Sequence, residues 1–179
     1  MRGPLHGWLV SLKDNLDMAG QVTTAGSRVC ESDPPAHDDA PVVARLRAAG
    51  ALLVGRTNMT EFAFSGVGIN PHHGTPVNPA DAQVARIPGG SSAGAAVSVA
   101  LGLVRAGVGT DTGGSVRIPA ALCGLVGFKS TQSRIPTRGV LELSRSLDTV
   151  GSLTRNVADN LSVDAVLSQD PLPRTPTAL

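Results

Sequence analysis

Four short apolar runs, separated by small-residue or polar segments, predict strands that alternate with helices along this chain. Trp8 to Leu12 (WLVSL) reads as a strand that empties into the polar turn Lys13-Asp14-Asn15. Residues 20–41 are rich in Gly, Ser, Thr, Asp and Pro and read as a loop. A helix follows, with Asp39 as the N-cap candidate, Pro41 in the first turn and Gly50 as the stop. Val42, Val43, Leu46 and Ala49 form its apolar face. Leu52 to Gly55 then reads as a buried strand. Residues 66–90 are Gly- and Pro-rich and read as irregular. Ala93 to Val104 reads as a small-residue helix, Ala106 to Gly109 as a strand, Val116 to Leu122 as a helix and Leu125 to Lys129 as a strand. Near the end, Thr154 is the expected cap of a helix running to about Leu167, with Val157, Leu161 and Ala165 on one face. Residues 171–179 read as a linker or frayed tail. The rhythm is that of an α/β protein, a sheet covered by helices.

Composition narrows the function classes. With 179 residues the chain is expected to form one domain. A net charge of +1 leaves no electrostatic footprint for nucleic acid or an acidic membrane. The few aromatics (Trp8, Phe62, Phe64 and Phe128, with no Tyr) argue against base stacking on RNA or single strands. Cys30 and Cys123 stand alone, too few for a disulfide scaffold or a cysteine zinc site, and are expected to be reduced buried thiols. No signal-peptide pattern and no membrane-length apolar stretch is visible, so a soluble, cytoplasmic protein is expected.

Three segments concentrate candidate chemistry: Gly89-Gly90-Ser91-Ser92-Ala93-Gly94, Gly109-Thr110-Asp111-Thr112-Gly113-Gly114-Ser115, and Ser11-Leu12-Lys13-Asp14-Asn15. Glycine runs let successive N–H groups aim at one point, and a hydroxyl at a helix N-terminus sits beside donors for an oxyanion. The plainer reading is tight turns with capping serines. Gly90 to Gly94 fits G-x-S-x-G with Ser92 as nucleophile, but no strand precedes it and all four histidines lie upstream. S-x-x-K fails at both lysines. Phe128 breaks a P-loop ending at Lys129, and Gly66-Val-Gly68 lacks the last glycine of a dinucleotide fingerprint. The histidines read as solvated loop residues. A serine hydrolase with a lysine base remains, since burial disfavours the charged form of lysine. Lys13 and Lys129 both follow strands and both stay candidates on these grounds.

The same segments identify a resemblance. Gly3-Pro-Leu-His-Gly7, Ser11-Leu-Lys13-Asp-Asn15, Gly55-Arg-Thr-Asn-Met-Thr-Glu-Phe62, Gly89-Gly-Ser91-Ser92-Ala-Gly94, Gly109 to Pro119, Cys123 to Lys129 and Ser146 to Gly151 resemble, in order, the amidase signature family. That family includes the A subunit of glutamyl-tRNA(Gln) amidotransferase. The resemblance implies the amidase signature fold, a mixed central sheet with helices on both sides. It also implies that residues 1–170 hold only part of that domain, because family members are much longer. It implies Ser115 as acyl-forming nucleophile, Ser91 as a bridging serine in a cis peptide, and Lys13 as terminal base, leaving Lys129 structural. Thr112, Gly113 and Gly114, with the Ser115 N–H, would form the oxyanion hole; Ser92, Asp111 and Arg117 would support it. Met59 to Gly68 would form a wall of the acyl pocket. Cleavage of a small-molecule amide with no metal or cofactor is implied, as are two alternatives: a glutamine-amidase subunit with amidotransferase partners, and an inactive fragment. A homodimer is a further option. Three positions depart from the family: Ala93 stands where Gly is frequent, Ser130 where Pro is usual, and Ser133 where Gly is common.

Overall fold

In the computed structural model, which describes residues 3–171, the expected rhythm is realised as a five-stranded mixed sheet. The elements are β1 (Leu9–Lys13), α1 (Pro41–Ala48), β2 (Leu52–Thr57), α2 (Ala93–Ala100), β3 (Ala106–Asp111), α3 (Arg117–Leu122), β4 (Val126–Lys129), β5 (Thr149–Thr154) and α4 (Val157–Ser168). Strand order is β2-β1-β3-β5-β4. β1 pairs in parallel with β2 and β3, whereas β5 is antiparallel to both β3 and β4. Four strands therefore run one way and β5 runs against them. The carboxyl ends of β1 and β3 and the start of β5 share one edge, where ligands of open α/β sheets characteristically bind.

Alternation along the strands assigns each face of the sheet to a pair of helices. Val10, Leu12, Ala106, Val108 and Val150 join Val42, Val43 and Leu46 of α1 and Val163 and Leu167 of α4 in one core. Leu153 faces the other way, into a core with Ala95, Ala96 and Val97 of α2 and Val116, Ala120 and Cys123 around α3. On this second face the strands carry glycine. A Cβ on Gly107 would lie 2.9 Å from the Ala95 carbonyl oxygen, and one on Gly127 would lie 2.5 Å from the Ala120 Cβ. Absent side chains let α2 and α3 approach the sheet backbone closely.

Several local expectations are corrected. α1 is preceded by Ala40 rather than capped by Asp39. Pro41 fixes the first turn, while the Asp39 carboxylate accepts from Ala19 N (2.9 Å) and Arg47 Nε (2.8 Å). α2 stops at Ala100, four residues before the expected end, because Gly102 turns the chain at φ 74°. β2 is an edge strand with Leu52 and Val54 more than half exposed, not a buried one. β5 was not foreseen; Thr154 is its last residue, and Asn156 caps α4 through Asp159 N. The expected face of α4 is also turned outward: Val157 is 59% exposed, while Asn160, Val163, Asp164 and Leu167 are buried. Two polar residues take the inner face because each has a dedicated partner. Asn160 Nδ2 donates to the Ser152 carbonyl (3.1 Å), and Arg134 holds Asp164 with two 2.8 Å bonds. Of the expected tail only Pro171 is described; residues 172–179 lie outside the described residues.

Candidate active site

Lys13 is the last residue of β1 and is completely buried, although it is the one charged side chain of that strand. It lies on the glycine-lined face, where neighbouring Ser11 meets Ser98 of α2 (Oγ···Oγ 3.0 Å). The serine pair arrives from the other side, at the entrance to α2. Its loop is clamped by close backbone contacts: Gly68 adopts φ 89°, and a Cβ there would lie 2.3 Å from the Gly89 carbonyl oxygen. Gly90 N donates to the Gly66 carbonyl (2.8 Å), Thr60 N donates to the Ser91 carbonyl (3.1 Å), and the Gly90–Ser91 peptide is cis. Ser91 and Ser92 are both fully buried.

These two segments meet. Lys13 Nζ lies 2.7 Å from Ser91 Oγ and 2.7 Å from Thr110 Oγ1, with the Thr110 carbonyl at 3.5 Å. Burial, which removes the water that would solvate an ammonium, pushes the Lys13 pKa down to about 7. The carboxylates of Asp111 and Asp148 oppose that shift without cancelling it. Thr110 and its other neighbour Asn15 (Nδ2 to Thr110 Oγ1, 3.0 Å) were not singled out from the sequence. Thr110 sits inside a motif read for Ser115, and only the pairing of β1 with β3 brings its hydroxyl to the lysine.

Ser115 follows the turn after β3. Asp111, the last residue of that strand, holds the turn together. Its carboxylate accepts from Gly114 N (2.8 Å), Val116 N (3.1 Å) and Arg117 N (3.2 Å), and pairs with Arg117 Nη2 (2.9 Å) and Nε (3.0 Å). Burial opposes ionisation of this carboxyl, but these donors outweigh it and hold the pKa below the usual carboxylate range. Ser92 N donates to the Ser115 carbonyl (3.1 Å), and Ser92 Oγ to that of Thr110 (3.3 Å), tying the serine loop to the turn. Ser115 is 7% exposed, and its hydroxyl has no hydrogen-bond partner among the described residues. The N–H groups of Thr112, Gly113 and Ser115 are likewise unpartnered there, whereas that of Gly114 is taken up by Asp111. Thr112 Oγ1 donates to Asp148, which also receives Leu143 N (2.8 Å) and Ser144 N (3.0 Å). Asp148 was another residue missed in the sequence, because its role depends on the unforeseen β5.

The competing groups lie elsewhere. Lys129, half-buried on edge strand β4, donates to the Ser130 carbonyl (2.8 Å). His72 and His73 pair with Glu61 and Glu31 in surface loops. No group of three or more His, Cys, Asp or Glu side chains suited to a metal is present among the described residues. Within the Met59–Gly68 stretch expected to form a wall of the acyl pocket, Met59 is buried with Ala25 and Ala63, while Phe64 and Val67 are exposed. The departures at Ala93 and Ser133 have local explanations. Ala93 is already helical, and Ser133 adopts φ 68°, the conformation that glycine favours. Among the described residues, no helix is long and apolar enough to cross a membrane.

The architecture agrees with what comparison with known proteins finds. The Amidase family model matches residues 1–178, and the chain belongs to that family. It is 50% identical over 158 residues to a 2-amino-5-chloromuconic acid deaminase of Comamonas testosteroni, covering 88% of this chain and 34% of the relative. It is 47% identical over 156 residues to the A subunit of the glutamyl-tRNA(Gln) amidotransferase of Syntrophobacter fumaroxidans, covering 87% and 32%. A crystal structure of an amidase superposes with a TM-score of 0.89 at 46% identity, over 97% of this chain and 39% of that one. The chain thus spans about a third of the length of the curated relatives it matches.

Proposed function

We propose that this chain carries the catalytic centre of an amidase that cleaves a carbon–nitrogen amide bond through an acyl-enzyme. The observation that carries the reading is a fully buried lysine 2.7 Å from Ser91, its pKa brought down to about 7. A neutral amine at that place accepts the Ser91 proton, and Ser91 takes one from Ser115 as Ser115 Oγ attacks the amide carbon. The unpartnered N–H groups of Thr112, Gly113 and Ser115 receive the developing oxyanion. Gly114 contributes by keeping its own N–H on Asp111, which with Arg117 and Ser92 fixes the turn. Collapse of the tetrahedral species returns a proton to the leaving nitrogen along the same path. Water then repeats the sequence on the ester. The Ser115 hydroxyl has no partner among the described residues, and catalytic hydrogen bonds commonly tighten only when substrate is bound. A cytoplasmic location belongs to this reading, supported by two cysteines that remain free thiols.

The test is release of amine or ammonia from a small amide set that includes glutamine and an aryl acetamide. Ser115→Ala is expected to lower turnover by about a thousandfold or more. A Ser115→Ala chain working at the parental rate overturns the assignment. A second reading, the glutamine-cleaving subunit of an amidotransferase, is supported by 47% identity to a protein of that name. Co-purification with the other subunits of such an assembly favours it, and amide turnover by the chain alone favours the first.

A further inference from the structure

Around Lys13 lies a short buried row of groups whose protons can be counted. Asn15, 1% exposed, places its carboxamide 3.0 Å from Thr110 Oγ1, which lies 2.7 Å from Lys13 Nζ, itself 2.7 Å from Ser91 Oγ. Asn15 Oδ1 is buried and has no partner among the described residues. A neutral lysine has one lone pair and two N–H groups; a hydroxyl has one proton and two lone pairs. If Asn15 donates through Nδ2, the Thr110 proton has one acceptor left, the Lys13 nitrogen. The lone pair then faces Thr110, an N–H faces Ser91, and the base points away from its substrate proton.

Rotating the carboxamide by half a turn exchanges its oxygen and nitrogen at nearly the same positions. Oδ1 then accepts the Thr110 proton, Thr110 Oγ1 accepts a Lys13 N–H, and the second N–H points to the Thr110 carbonyl. The lone pair is left on Ser91. Each orientation leaves one amide atom unpaired, so the amide alone does not decide between them. The proton count at Lys13 does. The second arrangement also serves the ammonium after transfer, with Thr110 Oγ1, the Thr110 carbonyl and Ser91 Oγ as its three acceptors.

We propose that Asn15 is a positioning residue for the lysine base. By accepting the Thr110 hydroxyl proton it turns Thr110 into an acceptor and leaves the Lys13 lone pair for Ser91. This rests on the Lys13–Ser91–Ser115 reading above. In the step it serves, the proton leaves Ser91 Oγ for Lys13 Nζ, and Ser91 Oγ takes the proton of Ser115. Asp111 and Asp148 are the carboxylates whose field reaches Lys13, and both stay in place in every variant below.

The experiment follows sulfonylation of the chain by benzenesulfonyl fluoride through intact mass. The Ser115 Oγ–S bond forms, the S–F bond breaks, and the Ser115 proton passes to the base as fluoride leaves. Rates are read across pH 6–10 (about the span in which the lysine changes charge) for the parent, Asn15→Leu, Thr110→Val and the double variant. Asn15→Leu is expected to slow the alkaline plateau about tenfold in the parent and to do little in the Thr110→Val background, where no rival hydroxyl exists. Asn15→Asp keeps an oxygen acceptor and is expected to hold the plateau within about threefold of the parent, with its pH midpoint moved up by the added charge. An equal factor for Asn15→Leu in both backgrounds, or a plateau for Asn15→Asp as low as for Asn15→Leu, overturns the proposal. If Asn15→Leu does not fold, as judged by circular dichroism, the Asn15→Asp plateau decides. Labelling that survives Ser115→Ala unchanged fails the Lys–Ser–Ser reading itself, whereas loss of labelling there with additive Asn15 effects fails the positioning role alone.

Discussion

A lysine sealed from water with only hydroxyls and a carbonyl around it keeps its proton at a cost to folding. The unfolded chain holds that proton up to about pH 10.5 and the folded chain only to about pH 7. Folding therefore expels a proton between those values, and stability climbs with pH across the window; below it the penalty is present in full. Lys13→Met keeps the length and removes the charge. It is expected to be more stable than the parent by about 3–5 kcal/mol below pH 7, with the advantage fading toward pH 10. Urea unfolding at pH 6 and pH 10 measures this, and an advantage independent of pH contradicts it. The variant is also expected to lose amide turnover, because no base remains beside Ser91. Asp111 shows the same sign in the acid range: its lowered pKa stabilises the fold at neutral pH, and that contribution is lost as pH falls and acid titrates it.

At the scale of elements, the site exists because α2 can lie close against the sheet. Gly109 faces Ser92, and a Cβ there would fall 2.5 Å from Ser92 Oγ and 2.9 Å from Ser92 Cβ, both fully buried. Gly109→Ala is expected to destabilise the chain by about 1–3 kcal/mol and to slow Ser115 sulfonylation, since Ser92 N holds the Ser115 carbonyl. Equal unfolding midpoints and labelling rates for parent and variant contradict that packing. Much of this level was legible in the chain itself. The apolar run to Leu12, the helix opened by Pro41 and stopped before Gly50, and the glycine turns before Ser91 and Ser115 each carry a local signal that the fold obeys. What was not legible depends on partners distant in sequence. Thr149 to Thr154 becomes a strand by pairing with β3 and β4, and only that pairing sets Asp148 beside Thr112. Thr110 reaches Lys13, and Asn15 reaches Thr110, through register, for which no motif codes, and α4 turns Val157 outward because Arg134 and Ser152 claim its polar residues.

For the whole molecule, strand order gathers three distant segments at one sheet edge. β1 delivers the amine, β3 the Ser115 turn and the Asp111 clamp, and β5 begins where Asp148 supports Thr112. Helices on both faces keep the amine dry, and that burial is what brings its pKa down to about 7. That is the physical core of the amidase reading, and one spectroscopic titration reaches it directly. The chain has two lysines, Lys13 and Lys129, so in Lys129→Arg protein labelled with 13Cε-lysine a single resonance reports on Lys13. The account predicts that this resonance titrates near pH 7 in the folded protein and near 10.5 in urea. A folded-state midpoint that stays close to 10.5 contradicts it, because a permanently charged Lys13 has no lone pair to offer Ser91.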